Sequence, residues 1–185
     1  VRSVDRLGER GHSLAEMLVA MAVMALLMAA TLSMLQSGLA ASGWGTRRVE
    51  AQQAVRVALE RMANELREAG YDPTSAGIAA LVVAEPTRVV LHHDLDGDGV
   101  IGPTRERVTY LLRSGETTLR RDAGAGAQPI VEGVRRLVLA YFDRDGAATT
   151  DPARVAFVRI ELEVGMGASA ALMMTQVMLR NAAIW

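Results

Sequence analysis

From Met17 to Leu35 the chain carries no charged side chain, and a single acid, Glu16, stands at the mouth of this run. At 1.5 Å per residue, about twenty helical residues span about 30 Å, the hydrocarbon thickness of a bilayer. The length and apolarity of the run therefore predict a membrane-spanning helix. A carboxylate at the mouth of such a helix is costly in lipid and marks a function. Arg2, Arg6 and Arg10 precede the run, and positive charge on that side predicts a cytoplasmic N-terminus. A secretory signal would have a shorter apolar core followed by a small-x-small site. Here the small residue, Gly11, comes before the core. Ala20, Ala22, Ala25, Ala29 and Ala30 alternate with Met17, Met21, Met24, Met28 and Met34. Such small and adaptable side chains suit a helix packing closely with others, and they suit a solitary lipid-facing helix equally well.

Gly11-His-Ser-Leu-Ala-Glu16 followed by an apolar helix resembles the type IV prepilin signal shared by pilins and type II secretion pseudopilins. The resemblance implies cleavage between Gly11 and His12 by a prepilin peptidase, N-methylation of His12, and Glu16 as the fifth mature residue. Pilins usually begin with Phe, so His12 is a departure. The implied role of Glu16 has a physical basis. A freed amine and a carboxylate in low dielectric each cost several kcal/mol if unpaired, so pairing between subunits fixes their register. The alternative for Glu16 is a helix-start acid favoured by the dipole of an ordinary signal anchor.

Between Gln36 and Thr46 the chain carries Gly38, Gly43 and Gly45, so any soft point of the helix falls at Gly38–Gly45. Beyond it, Val55, Leu59, Met62, Leu66 and Ala69 form one helical face, and Gly70 with Pro73 predicts its end. Arg56–Glu60 and Arg61–Glu65 are four apart and predict ion pairs on the wet side. The string from Arg61 to Tyr71, with its Glu65-Leu-Arg and Ala69-Gly-Tyr71, resembles PilW-type minor pilins. It is also related to the minor pseudopilin J of type II secretion.

After residue 71, apolar β-branched segments between turn signals predict strands near 80–84, 88–93, 106–113, 117–121, 134–142, 154–164 and 171–180. In the sixth, Val158, Ile160, Leu162 and Val164 alternate with Arg159, Glu161 and Glu163, so one face is buried. The expected class is α+β and pilin-like: a long N-terminal helix, half transmembrane and half amphipathic, packed on an antiparallel sheet head. The expected divisions are a leader at 1–11, a membrane and filament-core helix at 12–46, an amphipathic helix at 47–70 and a β-rich head at 71–185.

Asp94-Leu-Asp96-Gly-Asp98-Gly-Val100 reproduces the first half of a calcium loop: alternate carboxylates, a turn glycine, then a carbonyl ligand from Val100. Arg105 stands where the bidentate Glu belongs, and Glu106 is the substitute ligand. The competing reading is a solvated, metal-free acidic turn. Asp143-Arg-Asp145-Gly146 has too few ligands and reads as a turn. His92 and His93 point to opposite strand faces and cannot easily share a metal.

Without cysteine, neither disulfides nor a thiolate metal site is available. A net charge of −1, with no basic patch or stacking platform, gives no reason to expect nucleic acid as partner. No catalytic constellation stands out, so no enzyme activity is expected, and Ca2+ is the one candidate cofactor. By resemblance, the expected function is that of a minor pilin in a type IV pilus priming or tip complex. Its partners would be other minor pilins, the major pilin, a tip adhesin, the prepilin peptidase and the inner-membrane assembly platform. It would sit in the inner membrane first and in the periplasm or surface pilus afterwards. The alternatives are a type II secretion pseudopilin and a signal-anchored calcium-binding adhesive domain.

Overall fold

A computed structural model describes residues 13–165, 167 and 170–182, and of 40–45 the backbone alone. Helix α1 runs Leu14–Glu68, and the chain divides into two compact units between Trp44 and Gly45.

In the first unit, no side chain from Leu14 to Leu39 is buried, and the helix is long and apolar enough to cross a membrane. Its large apolar residues are exposed on every side, including Leu18, Met21, Leu26, Met28 and Leu35. A helix apolar all round has to find its surroundings outside its own fold.

In the second unit the rest of α1 packs on two antiparallel sheets. The first sheet is β1 (Leu81–Glu85), β2 (Arg88–His92), β3 (Arg107–Leu111), β4 (Leu119–Asp122) and β5 (Gln128–Val131), in that order. The second is β6 (Val134–Phe142), β7 (Phe157–Val164) and β8 (Ala171–Met178), again in chain order. The fold is thus α+β and pilin-like, with the head split into two meanders. β6 adjoins the first sheet: Leu139 N–H donates to Pro86 O at 2.8 Å and the Tyr141 hydroxyl to Glu85 O at 2.8 Å.

The predicted stripe is the core face of α1. Val55, Met62 and Leu66 are fully buried, as is Ala69 just past the helix end, joined by Ala51, Ala58, Leu59 and Ala63. They meet Leu91, Val108, Tyr110, Leu119, Ile160 and Leu162 from the sheets. Gly70 ends the helix at φ 78°, where its N–H donates to His92 O at 2.8 Å. A β-carbon there would strike the Asn181 carbonyl and Ala80, so position 70 admits only glycine without rearrangement.

Three expectations are corrected. β5 was not foreseen, because Pro129 and a four-residue length mask a strand. The sixth expected strand starts late: Asp151 caps a 3-10 turn at Pro152–Arg154, and β7 opens at Phe157. Glu65 does not lie on the wet side. Its carboxylate accepts from Arg121 Nε at 2.9 Å on both oxygens and from the Tyr110 hydroxyl at 2.7 Å, with Arg61 at 3.5 Å. Arg121 and Tyr110 are paired across β3 and β4, so this cluster clamps the helix to the first sheet. Arg56 and Glu60 form no ion pair among the described residues; the exposed pair at that spacing is weak and easily forgone.

Candidate functional site

The start of α1 has a local cause. Ser13 Oγ accepts the Glu16 N–H at 3.2 Å, and Ser13 O accepts the Met17 N–H at 3.2 Å. Ser-x-x-Glu before an apolar run is the sequence signature of a capping box, and its Ser13 half starts the helix and sets Glu16 in the first turn. That signal stood in the sequence, yet the spacing from Gly11 drew attention to Glu16 alone. Glu16 is exposed at the N-terminal end of an apolar helix whose side chains to Leu39 are exposed too. Gly11 and His12, the expected cleavage and methylation residues, lie outside the described residues, as does the rest of the 1–11 leader.

The acidic loop joins β2 to β3 and is built around two carboxylates. Asp94 is fully buried; its Oδ1 accepts the Gly97 N–H at 2.7 Å and its Oδ2 the Gly99 N–H at 2.9 Å. Gly97 and Gly99 both take positive φ, which lets their amides converge on one side chain. Glu106 reaches back from the far end. Its Oε1 accepts from Leu95 and Asp96 at 2.9 and 3.2 Å, and its Oε2 from Gly102 at 2.7 Å. The Gly102 N–H, with those of Leu95 and Asp96, holds the Glu106 carboxyl below the usual glutamate value against some desolvation.

Asp94, Asp96 and Glu106 each bring an oxygen to within 4.8 Å of the others. The Asp98 N–H favours the charged form of Asp96. Desolvation and the charges of Asp98, Glu106 and Asp94 outweigh it, so Asp96 titrates above an ordinary aspartate. Asp98 stays outside this group, its Oδ1 accepting the Val100 N–H at 2.8 Å. Three carboxylates offer hard oxygen donors of the kind a hard divalent cation takes; both Asp94 oxygens and Glu106 Oε2 accept one N–H each and keep a second lone pair, whereas Glu106 Oε1 already accepts two. The loop is also tied to the end of α1, since the Asp94 N–H donates to Tyr71 O at 2.8 Å.

Asp143 belongs to a turn. Its Oδ1 accepts from Asp145 and Ala147, and its Oδ2 accepts from Arg154 Nη2 at 2.9 Å. His92 Nε2 and His93 Nδ1 are buried without a hydrogen-bond partner, and neither joins the carboxylate group.

Residues 6–32 match the family model described as the prokaryotic N-terminal methylation motif. No curated protein matches the chain. The chain therefore carries a type IV pilin-like prepilin motif, of the kind found in pilin and pseudopilin precursors, and with it an apolar helix fit for membrane anchoring. This motif points to a structural subunit assembled with other pilins in a membrane system.

Proposed function

We propose that this chain is a minor pilin of the PilW type, a subunit of a type IV pilus priming or tip complex. Prepilin peptidase cleaves it after Gly11, and His12 becomes the methylated N-terminus. Glu16 pairs with the amine of a neighbouring subunit as the helix leaves the inner membrane for the filament core. The second unit stays outside the membrane and selects partners among minor pilins, the major pilin and a tip adhesin. The observation that carries this reading is the pairing of the matched motif with a helix that buries no side chain from Leu14 to Leu39. A helix built only to hold a fold would bury one face. The Ala69-Gly70-Tyr71 phrase supports the PilW assignment. It ends the helix where the acidic loop is pinned, so the phrase and the loop form one joint.

Mass spectrometry of the native N-terminus tests cleavage and methylation together. The expected mature chain begins at methylated His12, and Gly11→Val leaves the full precursor in the membrane. A Gly11→Val chain of normal mature length ends the prepilin reading. Presence in sheared surface pili separates a pilin from a secretion pseudopilin, which remains periplasmic.

The acidic loop carries a second reading: Asp94, Asp96 and Glu106 hold Ca2+. Its support is the 4.8 Å approach of the three carboxylates together with the raised Asp96. Millimolar Ca2+ should raise the melting temperature of the wild type but not of Asp96→Asn. An unchanged wild-type melting temperature in Ca2+ and chelator makes the loop a plain turn.

A further inference from the structure

The two sheets have four outer strands, and three of them are guarded among the described residues. β5 is four residues long and contains Pro129. β1 and β6 lie against each other through the Leu139–Pro86 and Tyr141–Glu85 bonds, and β6 also carries Arg135 and Arg136. Among the described residues β8 has a strand neighbour on one side only; it runs eight residues and contains no charge, proline or glycine. Long, uncharged, open edges are templates for pairing, and proteins that have no use for them blunt them.

The hydrogen-bond phase of β8 follows from its neighbours. The Leu179 N–H donates to Ala156 O at 2.9 Å, so positions 177, 175, 173 and 171 bond to β7 by alternation. The N–H and C=O of Leu172, Met174, Gln176 and Met178 therefore point to the open side. The side chains of Leu172, Met174 and Met178 are among the most exposed large apolar groups of this unit, at 60%, 62% and 55%. Alongside, a groove runs between the strand and α1. Met173, Met174 and Thr175 form one wall, and Arg56, Glu60 and Asn64 of the helix form the other. It continues past the exposed Val49 and Val57.

We infer that β8 is a strand-addition site, completed in the assembled filament by an extended segment of a different subunit. This rests on the filament-subunit reading, which delivers other pilin-like chains to the same assembly. The occupant is defined by chemistry. Backbone N–H and C=O groups at strand spacing are matched by another strand. Its residues on the outer face are uncharged and apolar, opposite Leu172, Met174 and Met178. Its residues over the groove are neutral, or acidic opposite Arg56 and Arg67 but not opposite Glu60, because Arg56 and Glu60 both lack an ion pair among the described residues and Arg67 bonds only the neutral Asn64. A second copy of β8 fits poorly: two-fold antiparallel pairing about Met174 would turn Arg56 of one helix towards Arg67 of the other and Glu60 towards its own counterpart, like-charge approaches in each case.

Hydrogen exchange on the full chain tests this. In the purified, detergent-held protein the amides of 173, 175 and 177 are protected, and those of 172, 174, 176 and 178 exchange at least tenfold faster. In native filaments the second set should slow at least tenfold. Equal rates in both states overturn the proposal, whereas an uncleaved chain absent from filaments would instead overturn the reading it rests on. Slowing that appears in the purified chain alone as its concentration rises identifies a second copy and overturns the occupant argued here. Met174→Pro removes one outward N–H and no bond to β7, so it should keep cleavage and the melting temperature while lowering filament incorporation at least tenfold. Incorporation at the wild-type level counts against the site.

Discussion

The two halves of α1 differ in what surrounds them. From Leu14 to Leu39 the helix is apolar on every side and buries nothing within the fold. From Ala51 to Leu66 one face is buried in the core formed with the two sheets and the other is polar. The same secondary structure is thus stabilised by different partners. The head half is held by its own sheets, and the other half needs lipid or a neighbouring helix. What can be mutated without harm should therefore depend on the half and on the assay.

The widest contrast is between Met62→Ala and Met24→Ala. Met62 is fully buried, and its truncation should cost the head about 2–5 kcal/mol in urea unfolding. Met24 is exposed, and its truncation should leave that transition unmoved while altering extraction from membranes or filaments. Equal effects on unfolding would dissolve the contrast. Next comes the pair of glutamates. Glu65→Gln weakens the clamp to Arg121 and Tyr110 and should cost roughly 1.5–3 kcal/mol, since hydrogen bonds to charged groups carry about that much. Glu16→Gln should leave unfolding alone and impair assembly, as judged by subunit content of sheared filaments.

The smallest effect is the acid limb. Burial holds His93 below its ordinary 6.5, overriding Glu65, Glu68 and Glu106, which favour its proton, while Arg121 disfavours it. The unfolded chain therefore binds that proton first, so stability is full above pH 6.5 and falls as pH drops below it. Glu106, held below its ordinary 4.5, adds a further loss as pH falls beneath that value. Asp96 is raised above 3.8 and acts in the opposite sense, its protonation easing the crowded loop. One proton's difference corresponds to at most about 1.4 kcal/mol per pH unit. His93→Phe should flatten the slope just below pH 6.5 in pH-dependent melts; an unchanged slope removes His93 from the account.

Legibility followed the kind of force involved. The α1 core stripe, the helix stop at Gly70 and the alternation in β7 are periodic patterns, and periodicity survives in a sequence. Glu106 stood out in the sequence only as the carboxylate next to Arg105; that its oxygens gather the amides of Leu95, Asp96 and Gly102 was not legible, because backbone amides leave no mark on a sequence. The Glu65 clamp was hidden because Arg61, four residues away, offered a sufficient local partner. Arg121 is distant in sequence and comes close only when β3 and β4 pair. β5 was hidden by Pro129, which disfavours a central strand but is harmless at an edge. The open side of β8 could not be read at all. Strand order is a property of the whole sheet, and nothing within Ala171–Met178 announces which side lacks a neighbour.

The order of the strands bears on how the head comes into being. Within each of the two sheets every strand pairs with the next one in the chain, without a crossover. Joining neighbours in this way needs only short loop closures, and such topologies reach their native pairings quickly. The longest gap in the first sheet lies between His92 and Arg107, where Asp94 and Glu106 gather the loop's own amides. A head made in this way can zip up strand after strand as the polypeptide emerges, and without cysteine it has no oxidative step to wait for.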